Sequence, residues 1–134
     1  MKKVLAFGTF DIFHPGHEFY LQQAKNVGDE LLVIIARDTT VRMLKGTDPY
    51  NDQMTRLKKI HALPYVDQAY LGSEADKYAL IEQLKPDIIC LGYDQTHFID
   101  DLEKELEDRG LNPEIIRIDS HKPHVFKSSK LRKK

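Results

Sequence analysis

Five short apolar runs recur along the chain and alternate with segments of helical spacing. The runs lie at residues 3–8, 30–37, 65–71, 88–91 and 114–118. In the first two, apolar residues occupy successive positions, as they do in parallel strands that are covered on both faces. The pattern therefore predicts a parallel sheet of five strands.

The intervening segments carry apolar residues three or four positions apart, which is typical of helices. The first helix is predicted to begin at His14-Pro15, and the others lie at residues 38–44, 52–63, 77–84 and 98–109. Proline is well tolerated in a first helical turn because its missing N–H would have no partner there. Alternating strands and helices predict a doubly wound, Rossmann-like α/β fold, with residues 1–134 forming a single domain.

Composition and charge narrow the class of protein. The chain has 134 residues, of which 41% are apolar and 31% charged, as in an ordinary soluble domain. Its formal net charge of -1 argues against general nucleic-acid binding, so any anion site must be local. The single cysteine, Cys90, lies in an apolar run and is predicted to be a buried small hydrophobic residue. The apolar runs are too short to cross a membrane, so we expect a cytoplasmic protein with no membrane partner.

Polar or glycine-containing turns follow three of the predicted strands, at residues 8–17, 37–38 and 92–95. Doubly wound sheets bind ligands at the carboxyl ends of their strands, near the point where strand order reverses, so these turns should face one crevice. The first turn joins a strand to a helix start, an arrangement that binds phosphate. His14 and His17 add two imidazoles beside the positive end of that helix. The sequence thus predicts a nucleotide site.

Other roles stay open for the two histidines. They could be half of a metal site, but no third ligand stands at a familiar spacing, so no metal-binding residues are assigned. They could also be a helix cap and a surface residue. The glycine motifs of P-loop and dinucleotide-binding proteins are absent from the sequence, which disfavours a P-loop kinase or an NAD enzyme.

Three further polar features are candidates for the same site. Residues 45–52 form a polar, turn-rich loop of the kind that covers a substrate. Composition alone does not distinguish a phosphate-binding role for Lys45 and Arg56 from that of charged residues on the solvated surface. Ser128 and Ser129 can open a last helix, where they would either cap it or hold phosphate at its N-terminus.

The segment Gly8–Asp11 followed by His14–His17 resembles the signature of the cytidylyltransferase-like nucleotidyltransferases. The likeness continues over nearly the whole chain. Residues 27–38, 65–67 and 128–130 are similar to the corresponding segments of glycerol-3-phosphate cytidylyltransferases. The archaeal-type FAD synthetases of the same family are a closer match, at residues 36–38, 44–46, 69–73, 84–89, 91–92 and 94–96.

The resemblance implies a role for each signature residue. His14 and His17 would stabilise the pentavalent phosphorus, and Lys45 would reach the phosphates from the loop. The expected nucleotide and phosphate contacts are Thr9, Phe10, Pro15, Gly16, Arg56, Asp94, Ser128 and Ser129. A divalent ion, usually Mg²⁺, would bridge the triphosphate, and Asp11 would either help to place that ion or cap the turn.

The expected activity is transfer of AMP from ATP to FMN, giving FAD and pyrophosphate by direct in-line attack. One alternative is a CTP-dependent enzyme acting on glycerol 3-phosphate or a similar phosphorylated alcohol. Three departures from the cytidylyltransferase pattern weigh against it: Pro64 and Lys122 replace arginines, and Val125 replaces a glycine. A second alternative is a nucleotide-binding module without catalysis. By analogy with relatives, a homodimer is expected.

Overall fold

The structure, a computed structural model, describes residues 1–12, 15–72, 78–92, 99–118 and 125–127. Six strands are formed in these parts of the chain: β1 (Lys3–Gly8), β2 (Glu30–Ile35), β3 (Gln68–Leu71), β4 (Ile88–Gly92), β5 (Glu114–Ile118) and β6 (Val125–Lys127). Five helices connect them: α1 (Pro15–Asn26), α2 (Asp38–Lys45), α3 (Gln53–His61), α4 (Ala79–Leu84) and α5 (Ile99–Asp108).

The six described strands form one sheet in the order β3-β2-β1-β4-β5-β6. The predicted five parallel strands are confirmed, from β1 through β5. The sixth strand, β6, runs antiparallel to β5 and was not expected. It is only three residues long, too short to show the apolar pattern that identified the others. The helix predicted to begin at Ser128 lies outside the described residues.

Helices cover both faces of the sheet, as the doubly wound arrangement requires. Residues in β1 alternate between two buried clusters, with Val4 and Ala6 in one and Leu5 in the other. The first cluster includes buried residues of α1 and α3, and the second includes residues of α4 and α5. Cys90 is fully buried in the first cluster, as predicted. Burial and the nearby Glu114 raise the pKa of its thiol to about 12, so it stays protonated.

Two strands are shorter than the apolar runs that predicted them, β2 at its end and β3 at its start. β2 stops at Ile35, and the Arg37 side chain then bonds to the carbonyl of Gly72 at the end of β3. The start of the third run is a turn in which Val66 N–H donates to Leu63 O over 3.1 Å. None of the described helices has the length and hydropathy needed to span a bilayer.

The strand order reverses between β1 and β4, and a tyrosine lies between the two strands there. Their pairing runs from Val4 with Ile88 to Ala6 with Cys90. Just beyond it, the Tyr20 hydroxyl accepts from Phe7 N–H at 3.2 Å and donates to Cys90 C=O at 2.7 Å. The hydroxyl therefore separates the carboxyl ends of β1 and β4, where a ligand crevice is expected.

Candidate functional site

The signature segment leaves β1 through a turn built around Phe10. Phe10 has a positive φ of 53°, which is uncommon for a residue with a side chain, and it is 3% exposed. A Cβ added at Gly8 would lie 2.5 Å from Phe10 Cζ. Glycine is therefore required at position 8 because the Phe10 ring packs directly against the backbone.

The same ring sets the surroundings of His17, the third residue of α1. The ring centroids of Phe10 and His17 are 5.3 Å apart in an edge-to-face arrangement, and Phe10 stacks on Tyr20 with centroids 6.5 Å apart. This packing places one signature imidazole at the N-terminus of α1, where the helix dipole favours anions. His14 lies outside the described residues.

Asp11 connects the signature segment to the loop between α2 and α3. Its carboxylate accepts from Tyr50 N–H at 2.7 Å and from Asn51 N–H at 2.8 Å. In return, the Asn51 side-chain amide donates to the Asp11 carbonyl at 2.6 Å. We call these three hydrogen bonds the Asp11 clasp. Partial burial raises the pKa of Asp11, but the hydrogen bonds from Asn51 and Tyr50 and the charge of Arg56 outweigh it and lower the pKa below its usual value.

Arg56 joins the ends of two strands to the same loop. It projects from α3 and is 1% exposed, the one charged residue among the described residues that is buried. Its guanidinium donates to three backbone carbonyls and one carboxylate: Thr9 O at 3.0 Å, Ala36 O at 2.7 Å, Asn51 O at 3.0 Å and Asp38 Oδ1 at 2.7 Å. Four of its five N–H groups thus bond within the protein. The interpretation of Arg56 as a solvated surface charge is wrong, since its charge is fully enclosed.

The structure brings part of the predicted site together. Thr9 is half-buried with its carbonyl held by Arg56, and Pro15 and Gly16 are the first residues of α1. The Phe10 ring is in the core, and the whole residue is buried, so its expected contact with a nucleotide stays a prediction. Lys45 is exposed at the end of α2, before Gly46, which ends the helix with a φ of 78°. Asp94, Ser128 and Ser129 lie outside the described residues, so their contacts with a nucleotide stay predictions.

The described residues offer no dedicated metal cage. Within those ranges, no group of three or more His, Cys, Asp and Glu side chains is arranged to hold a metal ion. Asp11 is the carboxylate nearest to the signature turn in sequence, and backbone N–H groups already occupy both of its oxygens. A Mg²⁺ ion carried largely by the phosphate oxygens of a nucleotide is compatible with this arrangement.

Sequence reasoning missed the connecting roles of Asp11, Tyr20 and Arg56. For Arg56 a signal was available, because it stands four residues before the buried Ile60 and thus on the inner face of α3. For Asp11 there was none, since its partners Tyr50 and Asn51 are about forty residues away in the chain.

Comparisons with known proteins agree on the family. The cytidylyltransferase-like family model matches residues 5–134. FAD synthase from Methanothermobacter thermautotrophicus is 47% identical over 125 residues, covering 91% of this chain and 82% of that protein. FAD synthase from Thermoplasma acidophilum is 44% identical over 134 residues, covering 100% and 94%.

A solved structure shares the fold. The crystal structure of the lipopolysaccharide core biosynthesis protein from Thermoplasma volcanium GSS1 aligns with a TM-score of 0.82 and 44% identity, covering 87% of this chain and 95% of that one. This chain therefore resembles that protein in three-dimensional fold as well as in sequence. The chain belongs to the cytidylyltransferase-like family.

Proposed function

We propose that this protein is an FAD synthase, which transfers AMP from ATP to FMN. The observation that carries the proposal is the set of FAD synthases to which the chain is similar, at 44–50% identity over 88–100% of its length. Support also comes from the fold, because the signature turn follows β1 next to the reversal of strand order between β1 and β4, the region where doubly wound sheets in general bind ligands.

The reaction is a nucleotidyl transfer at the α-phosphorus of ATP. An oxygen of the FMN phosphate attacks that phosphorus and forms a new P–O bond, while the bond from the α-phosphorus to the bridging oxygen breaks and pyrophosphate leaves. No proton needs to be removed from the ionised FMN phosphate, so the protein's main tasks are positioning and charge stabilisation.

The chain's own groups supply that stabilisation at the start of α1. The backbone N–H groups in its first turn and the dipole of this twelve-residue helix favour the triphosphate. His17, oriented by Phe10, donates to the phosphate oxygens on which charge grows, and His14 acts with it. Lys45, the last residue of α2, approaches the phosphates from just before the loop of residues 46–52. A divalent ion such as Mg²⁺, bound with the triphosphate, would lower its charge further.

An assay that combines each of two nucleotides with each of two acceptors tests the proposal. The protein is incubated with Mg²⁺, with ATP or CTP, and with FMN or glycerol 3-phosphate, and pyrophosphate release is measured. Release with ATP plus FMN supports FAD synthesis. Release only with CTP plus glycerol 3-phosphate contradicts it and favours the cytidylyltransferase alternative. Nucleotide binding without release in any mixture also contradicts it and favours a binding module.

A further inference from the structure

The Asp11 clasp lies between two parts of the proposed site that are distant in sequence. On one side is the signature segment with His14 and His17, and on the other is the loop of residues 46–52, which begins directly after Lys45. We propose that Asp11 is a positioning residue, which fixes this loop and thereby places Lys45 relative to His17. The inference rests on the proposed function and deepens it.

The clasp fixes the far end of the loop to the signature. Its three hydrogen bonds, of 2.6–2.8 Å, join residues separated by 39 and 40 positions. Both backbone N–H groups meet an ionised carboxylate, and such charge-assisted bonds are stronger than neutral ones. Asp11 directly follows Phe10, whose ring packs against His17, so a shift of the loop relative to Asp11 is also a shift relative to His17.

Arg56 supports the clasp from inside. One guanidinium binds the carbonyls of Asn51 in the loop and Thr9 in the signature, so both sides of the clasp share one buried charge. The same group bonds to Asp38 at the start of α2. The helix that ends at Lys45 is therefore held at its first residue, and the loop after it is held at residues 50–51.

The remaining described ion pair of the loop is a weak anchor. Arg42 and Asp48 bond to each other, but their side chains are 57% and 70% exposed. Exposed pairs of this kind contribute little because water screens them and both side chains lose freedom. Without the clasp, the side-chain restraints on this loop among the described residues would be the bond from Arg56 to the Asn51 carbonyl and this exposed pair.

Amide hydrogen exchange tests, without relying on activity, whether Asp11 holds the loop. Amide hydrogen exchange is followed in the peptide spanning residues 46–52 of the full chain. Asp11→Asn keeps the shape but leaves one side-chain oxygen to accept, so exchange should rise about tenfold, in step with the loss of one charge-assisted bond. Asp48→Asn, on the same loop, should leave the exchange of residues 50 and 51 unchanged. Unchanged exchange in Asp11→Asn, or an equal rise in Asp48→Asn, would overturn the inference.

A double-mutant cycle tests whether Asp11 acts through Lys45. Turnover is measured for wild type, Asp11→Asn, Lys45→Ala and the double variant, with the nucleotide and acceptor that the wild type uses. If Asp11 acts by placing Lys45, Asp11→Asn should lower kcat about tenfold when Lys45 is present. In the Lys45→Ala background, the same substitution should lower kcat less than twofold. Asn51→Ala, which keeps the Asp11 charge, should show the same dependence on Lys45.

Two further results distinguish failure of this inference from failure of the proposed function. If the losses from Asp11→Asn and Lys45→Ala multiply, and the Mg²⁺ concentration for half-maximal rate rises in Asp11→Asn, Asp11 acts directly on the metal–nucleotide complex and the inference fails. Failure of the wild type to use ATP and FMN instead contradicts the proposed function. In that case the exchange experiment still decides whether Asp11 holds the loop.

Discussion

Buried polar side chains join the segments of this site, and Arg56 is the central one. A buried charge is tolerated only when its hydrogen bonds are satisfied, and Arg56 meets this condition with three carbonyls and the Asp38 carboxylate. Its planar fork of donors suits acceptors on several sides. Because those acceptors belong to the signature, the end of β2 and the loop before α3, the geometry of the site depends on this one side chain.

Removing that charge should cost stability. Arg56→Met keeps an apolar stem on the inner face of α3 but leaves the carbonyls of Thr9, Ala36 and Asn51 without their donor. Breaking a buried pair in this way costs about 3–5 kcal/mol, so we expect the free energy of unfolding in urea to fall by roughly 3 kcal/mol or more. Lys58→Met, at an exposed position two residues along the same helix, is the control and should change it by less than about 0.5 kcal/mol. Equal stability of the two variants would contradict the assigned role of Arg56.

His17 should matter for rate far more than for folding. His17→Asn keeps a polar group near the position of Nδ1 but has no donor at the position of Nε2, so turnover should fall about 10²–10³-fold, the effect of losing one transition-state donor. Thermal unfolding checks that the variant is folded. His61→Asn changes an exposed histidine at the end of α3 and should keep the wild-type rate. A His17→Asn enzyme with full turnover would contradict the role of the signature histidines.

The signature residues can be recognised from the sequence, but the contacts that hold them cannot. Gly8, Pro15 and the histidine spacing are local features, visible within ten residues, and so they can be interpreted without a structure. The partners of Asp11 are set by how α2 and α3 return to the signature, which depends on tertiary packing. Arg56 is an intermediate case, because helical spacing places it beside Ile60 but does not show which acceptors it meets.

Among the elements, β1 and β4 are the strands between which the order of the sheet reverses, and Tyr20 of α1 bonds to both. Their pairing ends at Ala6 and Cys90, and the Tyr20 hydroxyl then bridges the two strands. Apolar runs sufficed to predict β1, β4 and the first helix, because long hydrophobic patterns survive most tertiary effects. The break in pairing was not predictable, since one hydroxyl from the neighbouring helix replaces a direct contact between strands.

The bridge gives a test with a matched control. Tyr20→Phe leaves Phe7 N–H and Cys90 C=O without the hydroxyl, so the free energy of unfolding should fall by about 1–3 kcal/mol. The Tyr65 hydroxyl is also buried but has no hydrogen-bond partner among the described residues, and its burial raises the pKa of that phenol. Tyr65→Phe should therefore be neutral or slightly stabilising. Similar losses in both variants would show that the bridge contributes nothing specific.

For the whole molecule, acid should weaken the contacts between distant segments. The Asp67 carboxylate accepts from the Lys25 ammonium at 2.8 Å and from Leu31 N–H at 2.7 Å, and these bonds lower its pKa. A lowered pKa in the folded state means that the unfolded chain takes up the proton first as pH falls. The resulting stabilisation is fully present above about pH 4, the ordinary carboxyl value, and is lost as pH falls through the folded pKa.

Substitution of Asp67 should therefore reduce the loss of stability that accompanies a fall in pH. Asp67→Asn should be less stable than wild type at pH 7, and the difference should shrink as pH falls below about 4. Thermal unfolding between pH 7 and pH 3 measures this. Glu107→Gln, at an exposed position on α5, should leave the slope unchanged. A constant difference between wild type and Asp67→Asn at all pH values would contradict the assignment.

The carboxyl ends of β1, β2 and β3 lie along one edge of the sheet, whereas Asp67 bonds at the amino ends of β2 and β3. The ends of β1, β2 and β3 are joined by Ala36 N–H to Gly8 O at 3.0 Å and by Gly72 N–H to Ile35 O at 2.9 Å. The doubly wound fold predicts such a common edge, and the family assignment agrees with it. The homodimer expected from relatives stays a prediction, as does the contribution of Asp94, Ser128 and Ser129.

The most direct test of the central proposal follows the α-phosphate of ATP. The protein is incubated with Mg²⁺, FMN and ATP that is labelled at the α-phosphorus, and the products are separated. The proposed adenylyl transfer predicts that the label appears in FAD in a one-to-one ratio with unlabelled pyrophosphate. No labelled FAD from active, folded protein, or label transfer only from CTP to glycerol 3-phosphate, would contradict it.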